Sequence, residues 1–106
     1  MVPRADGGSV YILADNAAGA VYALTGYTGT SRRFALAVTG ADVYFAVGDA
    51  TLVGTDVVAA GASGALRGYH VANGVVGFEI NLSGYARIAF RAFGGGTALV
   101  HFTEIN

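Results

Sequence analysis

The sequence predicts an all-β domain, an antiparallel β-sandwich or jelly roll of about eight strands with little or no helix. Apolar residues alternate with small or polar ones at two-residue spacing along most of the chain. Turn residues separate these runs roughly every 8 to 12 residues, the spacing of a sandwich or barrel. No stretch of helical length keeps an apolar face free of glycine or β-branched interruption.

The clearest alternation lies in residues 32–39, where Phe34, Leu36 and Val38 share one face and Ala35 and Ala37 the other. In residues 98–105 both faces are partly apolar, as expected if one of them meets another chain or a covering loop. The same test predicts strands at residues 43–47, 78–82 and 87–91, with weaker candidates at 10–14, 20–25, 55–59 and 66–71.

Asn73-Gly74 is the strongest turn signal between two apolar runs. A type I′ hairpin turn needs positive φ at both central residues, which this pair favours. We therefore predict a β-hairpin there. Glycine-rich loops are expected at residues 26–29, 61–64 and 94–96.

The length of 106 residues suits one domain. We predict a flexible N-terminal arm at residues 1–9, which holds Pro3 and two glycines, and a single β-sandwich domain at residues 10–106. No apolar run reaches the ~18 to 20 residues of a membrane-spanning helix, so no membrane partner is expected.

Residue types that are missing exclude several chemistries. Without cysteine the chain has no disulfide, thiolate zinc site or cysteine nucleophile. Without lysine it has no phosphate-binding loop of the Walker type and no Schiff base. A pI near 6.0 argues against electrostatic nucleic-acid binding.

The remaining polar residues do not predict a catalytic or metal centre. Asp42, Asp49 and Asp56 lie seven apart, which in strands separates them, and each adjoins turn residues where aspartate commonly caps. His70 and His101, the only histidines, lie on predicted strands among apolar neighbours. We expect no enzyme activity and no cofactor.

Tyrosine and arginine are the residues that favour an interaction surface, because both are enriched at protein interfaces. Tyrosine also fills the core edge of small sandwiches, so that role stays open. The alanine-rich strand faces at Ala35, Ala37 and Ala89 are smooth and suit packing by another chain. The predicted interface residues are Tyr27, Arg32, Arg33, Tyr44, Tyr69, Tyr85, Arg87 and Arg91.

From Ala41 onward the chain resembles small accessory structural proteins of tailed-bacteriophage virions. The run that carries the resemblance is Val-Tyr-Phe-Ala-Val-Gly-Asp at residues 43–49, then residues 51–56 and a Gly-Ala loop. Two strands around Asn73-Gly74 follow, and the chain closes with a glycine turn and a strand ending near Thr103-Glu104. The resemblance implies a β-sandwich on the phage particle and carries no catalytic residue.

The expected function is therefore a non-enzymatic virion protein at the particle surface, which decorates or cements the capsid. Its expected partners are further copies of itself, in a homo-oligomer for which a trimer is one candidate state, and a major capsid protein or another virion protein. A tail, neck or fibre-base component is one alternative. A carbohydrate- or surface-binding module that uses Tyr27, Tyr69 or Tyr85 as stacking platforms is another.

Overall fold

Eight strands and one short 3-10 helix make up the computed structural model, which describes residues 9–24, 32–57, 68–82, 84–93 and 96–105. The prediction of an all-β domain of about eight strands is confirmed. The strands are β1 (Ser9–Ala14), β2 (Ala20–Ala23), β3 (Arg33–Thr39), β4 (Val43–Gly48), β5 (Tyr69–Val71), β6 (Val76–Asn81), β7 (Arg87–Ala92) and β8 (Ala98–Ile105), and the 3-10 helix is η1 (Gly54–Asp56).

The strands form two antiparallel four-stranded sheets. Sheet A has the order β1-β8-β3-β6, and sheet B has the order β2-β7-β4-β5. Thus β1 pairs with β8, β2 with β7, β3 with β6 and β4 with β5. Each pair is nested inside the previous one along the chain. This nested pairing is the jelly-roll arrangement, so of the two predicted architectures it is the jelly roll that forms.

The main core lies between the sheets and is built from the bulky faces that two-residue alternation identified. Phe34 and Phe102 of sheet A stack with ring centroids 4.4 Å apart, and Phe90 of sheet B meets Phe102 edge-on at 6.0 Å. Leu36 and Val100 are also fully buried beside them. Each such side chain stabilises the fold by about 1.5–3 kcal/mol through burial.

A second, smaller core lies outside sheet B, where residues 49–57 fold back over the sheet. Leu52 and Val57 pack on Ala46 and Ala89 there. The predicted strand at residues 55–59 is therefore wrong over its described part, because η1 takes its place. The Ala89 face, expected to meet another chain, is instead covered by the chain's own segment.

The turn at Asn73-Gly74 is present, but the predicted hairpin is wrong. It joins β5 of sheet B to β6 of sheet A, so the two flanking strands do not pair with each other. Gly74 has a φ of +93°, whereas no residue other than glycine has a positive φ in the described chain, which excludes a type I′ turn. The turn crosses from one sheet to the other.

Strand boundaries follow the predictions closely at the C-terminal end, where β8 spans residues 98–105 as predicted. At the N-terminal end β1 starts at Ser9, so the last residue of the predicted arm belongs to the domain. Residues 1–8 of that arm lie outside the described residues, as do residues 26–29, 61–64 and 94–95 of the predicted glycine loops.

Candidate functional site

The outer face of sheet A, which points away from the core, is the most distinctive surface of the described chain. Cross-strand register places Tyr11, His101, Ala37 and Val76 in one row across β1, β8, β3 and β6. On each side of this row lie further outward residues, because alternate residues share one side of a sheet. These flanking residues are Leu13, Leu99 and Thr39 on one side, and Thr103, Ala35 and Glu79 on the other.

Large exposed side chains line both edges of this face, and small side chains line its middle. Tyr11 and Leu13 on β1 are 66% and 67% exposed, and Val76 on β6 is 81% exposed. Between them Ala35 and Ala37 leave a depression of about 260 Å³. Its largely apolar lining consists of Ala35, Leu36, Ala37, Val76, Gly77, His101, Thr103 and Ile105.

A stacked pair of rings lies on the β1 side of the depression, and one of the two, His101, is part of its lining. The rings of Tyr11 and His101 lie 4.4 Å apart between centroids, and their planes differ by 12°. Thr103 Oγ1 lies 3.4 Å from His101 Nε2 on the far side of the row. These contacts restrict both rings, so the exposed aromatic surface is held in one orientation before any partner binds.

Among the described residues, charge on this face is confined to one corner. Arg33 on β3 forms an ion pair with Glu79 on β6, and both side chains are substantially exposed. An exposed pair of this kind contributes about 0–1 kcal/mol to stability. The rest of the face is apolar or neutral-polar, apart from the histidine ring in its centre, and suits a protein partner better than a charged one.

The predicted interface residues Arg87 and Arg91 lie on the outer side of sheet B. Arg87 Nη1 donates a hydrogen bond to the Leu52 carbonyl at 3.0 Å, and Arg91 Nη1 donates to the Val57 carbonyl at 3.2 Å. Arg91 Nε also donates to the Asn16 carbonyl at 3.0 Å. Both guanidinium groups thus hold residues 49–57 against the sheet, and their role at an interface stays a prediction.

Arg32, another predicted interface residue, lies inside the domain. Its Nε donates to Glu104 Oε2 at 3.1 Å, its Nη1 donates to the Leu24 carbonyl, and its guanidinium lies 5.1 Å from the centre of the Phe34 ring. The side chain is only 11% exposed. This arrangement ties the end of β2 to β3 and β8, which is a structural role.

Tyr44 belongs to a polar and aromatic cluster on the outer side of sheet B. Its ring stacks on His70 at 4.9 Å and meets Phe93 edge-on at 5.3 Å. His70 Nε2 lies 3.0 Å from Asp42 Oδ2, while the Asn73 N–H donates to Asp42 Oδ1. The Asn73 hydrogen bond and then the His70 contact lower the pKa of Asp42. The cluster fastens the 72–75 turn to β4.

Two of the tyrosines predicted as sugar-stacking platforms are described, and they lie in different elements. Tyr69 is 58% exposed, and its ring packs on Phe45 and Phe78 at the open edge of the sandwich. Tyr85 is 47% exposed and lies in the β6–β7 connection. Tyr27 falls outside the described residues.

Two of the aspartates spaced seven apart, Asp49 and Asp56, act in their own turns, as predicted, whereas Asp42 contacts His70 and Asn73. Asp49 Oδ1 accepts hydrogen bonds from the N–H and hydroxyl of Thr51, and Asp56 Oδ2 accepts one from the Val53 N–H. Within the described ranges no group of three His, Asp or Glu side chains is placed to hold a metal ion. In the same ranges no helix is long and apolar enough to cross a membrane.

Sequence reasoning identified the alanines of the outer face of sheet A but did not select Tyr11 as an interface residue. The signal was present, because Tyr11 alternates with the inward-facing Ile12 and Ala14 in a short strand. What could not be read was the pairing of β1 with β8, which brings Tyr11 beside His101.

The fold and this surface define a class of protein, an eight-stranded jelly roll with one apolar outer sheet face. No known protein family, no curated protein sequence and no solved structure matches the chain.

Proposed function

We propose that this chain is a non-enzymatic structural protein of a tailed-bacteriophage virion, which binds the assembled head as a decoration or cement protein. The observation that supports the proposal most directly is the outer face of sheet A, where Tyr11, Leu13 and Val76 stay exposed around a depression lined mainly by apolar groups. Contiguous exposed apolar surface marks sites of protein association. Jelly rolls also recur in viral capsid proteins.

The mechanism is stabilisation by mass action. A protein that binds the assembled shell, but not free capsid subunits, lowers the free energy of the assembled state. At a free concentration of 100 times Kd, each occupied site adds about 2.7 kcal/mol. Burial of the apolar outer face of sheet A supplies binding energy at roughly 25 cal/mol per Å² of apolar surface removed from water.

The test uses phage particles from which this protein has been stripped. Cement function predicts that stripped particles lose heat and osmotic resistance, and that adding back the purified chain restores both. Particles that resist heat and osmotic shock equally well without the protein would exclude the cement role. The number of copies per particle distinguishes a head protein from a tail, neck or fibre-base component. A decoration protein needs copies across the whole shell, whereas the other components need only a small ring.

A carbohydrate-binding module is the second candidate, and the exposed ring of Tyr69 is the observation that favours it. Its packing on Phe45 and Phe78 fixes one face of the ring and leaves 58% of the residue exposed. Glycan-array binding that disappears in Tyr69→Ala and persists in Tyr85→Ala would support this function. An array without any bound glycan would exclude it.

A further inference from the structure

We propose that His101 makes the binding of this chain to the assembled head sensitive to acid. With a neutral imidazole the outer face of sheet A docks on the shell, and protonation of the imidazole releases it. The inference rests on the proposed function, because the assembled head is the partner. It adds the regulation of that binding site and names the residue responsible.

His101 lies in the centre of the surface that docking would bury. It belongs to β8, between β1 and β3, and its cross-strand neighbours are Tyr11 and Ala37. Its side chain also lines the depression of about 260 Å³. A partner that covers Tyr11 at one edge of the row and Val76 at the other therefore covers His101 as well.

Val76 belongs to this surface because of a β-bulge in β6. Leu36 pairs with Phe78. The next residue of β3, Ala37, pairs with Val76, so Gly77 is an extra residue in β6. Gly77 has a φ of +76°, a conformation that favours glycine. In a regular strand Val76 and Phe78 would share the inward side, whereas the bulge turns Val76 outward, where it is 81% exposed. Bulges commonly re-aim a side chain beside a functional site.

The close neighbours of His101 in the described chain carry no charge. On β8, Thr103 Oγ1 lies 3.4 Å from His101 Nε2. On β1, the Tyr11 ring stacks on the imidazole at 4.4 Å, and a phenol stays neutral between pH 5 and 8. The residues of the same row on β3 and β6 are Ala37 and Val76, which have no titratable group.

The carboxylate on the described part of this face is too distant to balance a charge on His101. Glu79 lies two strands and two residues away, on the order of 12 Å across the sheet. A separation of that size exceeds the Debye length of ~8 Å at physiological ionic strength. Glu79 also forms an ion pair with Arg33, so its charge is already balanced.

Docking and protonation therefore compete. Histidine is the side chain that changes charge between pH 5 and 8. In the free chain an imidazolium on this face stays hydrated. Beneath a partner that meets the apolar face, it would lose that water without gaining a counter-charge, which strongly disfavours the complex. The docked state therefore requires the neutral imidazole.

The expected effect is about tenfold in Kd. An imidazole in water is about 90% neutral at pH 7.5 and about 10% neutral at pH 5.5. The apparent Kd rises as the binding-competent fraction falls, so it should be about tenfold higher at pH 5.5. Cosedimentation of the purified chain with stripped phage particles at the two pH values measures this Kd.

The decisive variant is His101→Phe, which keeps an aromatic ring beside Tyr11 but cannot take up a proton. Its Kd should be nearly the same at both pH values. His70→Phe is the matched control, because it makes the same change at the other histidine of the chain. His70 lies on β5 of sheet B, 3.0 Å from the Asp42 carboxylate, so this variant should keep the tenfold change of the parent.

Ala37→Glu tests the electrostatic argument by reversing its sign. Residue 37 lies directly across from His101, so the new carboxylate is unpaired at pH 7.5 and faces an imidazolium at pH 5.5. This variant should bind weakly at pH 7.5 and more tightly at pH 5.5. Ala37→Gln, which adds a side chain of the same shape without the charge, should keep the direction of the parent.

The outcomes separate this inference from the proposed function. A parent Kd that is equal at the two pH values, or that falls in acid, would overturn the inference and leave the cement function standing. The same holds if His101→Phe keeps the tenfold change. A chain that binds stripped particles at neither pH would refute both the cement function and its regulation. If His101→Phe fails to fold, the direction of the pH dependence in Ala37→Glu decides.

Discussion

Gly54→Ala tests how closely the segment at residues 49–57 packs on the rest of the domain. A Cβ at Gly54 would collide with the Ala18 carbonyl oxygen and would lie 2.9 Å from both the Ala20 nitrogen and the Gly19 carbonyl carbon. All three are backbone atoms, in the β1–β2 connection and at the first residue of β2, so no side-chain rotation can relieve the contact. Real Cβ contacts do not fall below 3.0 Å, so one of the two segments must move.

The expected magnitude follows from two opposed effects. Replacing glycine by alanine stabilises a domain by about 0.4–1 kcal/mol when the native backbone tolerates it, because the unfolded chain loses entropy. Overpacking lowers the free energy of unfolding by about 1–3 kcal/mol. Gly54→Ala should fall at the upper end of this range, because the atoms on the other side of the contact are rigid backbone. We expect a net loss of about 2 kcal/mol, or roughly 10 °C in Tm for a domain of this size.

Thermal and urea denaturation of the purified chain measure this loss, with Gly48→Ala as the matched control. At Gly48 the nearest atoms to an added Cβ are in the Leu52 side chain, at 3.4 Å and beyond, which is ordinary contact. The control should stay within about 0.5 kcal/mol of the parent. A Gly54→Ala protein at least as stable as the parent would show that the segment does not pack against the β1–β2 connection.

Three further predictions concern the two cores and the response to acid. Phe102→Ala should cost about 3–5 kcal/mol by urea denaturation, because the ring is buried between the sheets. Leu52→Ala should lower the free energy of unfolding by about 2–3 kcal/mol. It should also speed amide hydrogen exchange in β7 and at residues 52–57 before elsewhere, because the second core outside sheet B is small and Leu52 is one of its members. Hydrogen bonds from the Gly19 N–H, and then from the Ala18 N–H, lower the pKa of Asp15. The ionised Asp15 carboxylate therefore stabilises the folded state fully above pH ~4, and this stabilisation is lost as pH falls through the lowered pKa. Acid titration of unfolding should therefore be flatter in Asp15→Asn, and an identical acid profile would refute that assignment.

Strand positions were the most predictable part of this protein. In β3 and β8, alternation of bulky and small residues identified both the strand and the side that packs inward, because a half-buried strand exposes every second residue to the core. The signal failed at residues 55–57, where Thr55 and Asp56 belong to η1 and Val57 follows it. There the apolar side chains pack on the outside of sheet B, a contact that no local pattern encodes.

The candidate site was predictable in part. Ala35 and Ala37 were recognised as a smooth face open to a partner, and that face is the floor of the depression. Ala89, which has the same pattern, is covered by Leu52 and Val57. Sequence periodicity shows that a strand has a second face, but it does not show whether a distant segment covers that face.

By itself, the sequence determined the class of this protein, an all-β domain without thiol or lysine chemistry, and the positions of most of its strands. Those properties depend on residue type and on neighbours a few positions apart, which a linear pattern records. Tertiary structure decided the jelly-roll order of the strands and the packing of residues 49–57 on the outer side of sheet B. It also decided the position of the ring stack beside an apolar depression on sheet A. These features depend on contacts between distant residues, such as Tyr11 with His101, and the free energy of packing selects among the many pairings that the local pattern allows.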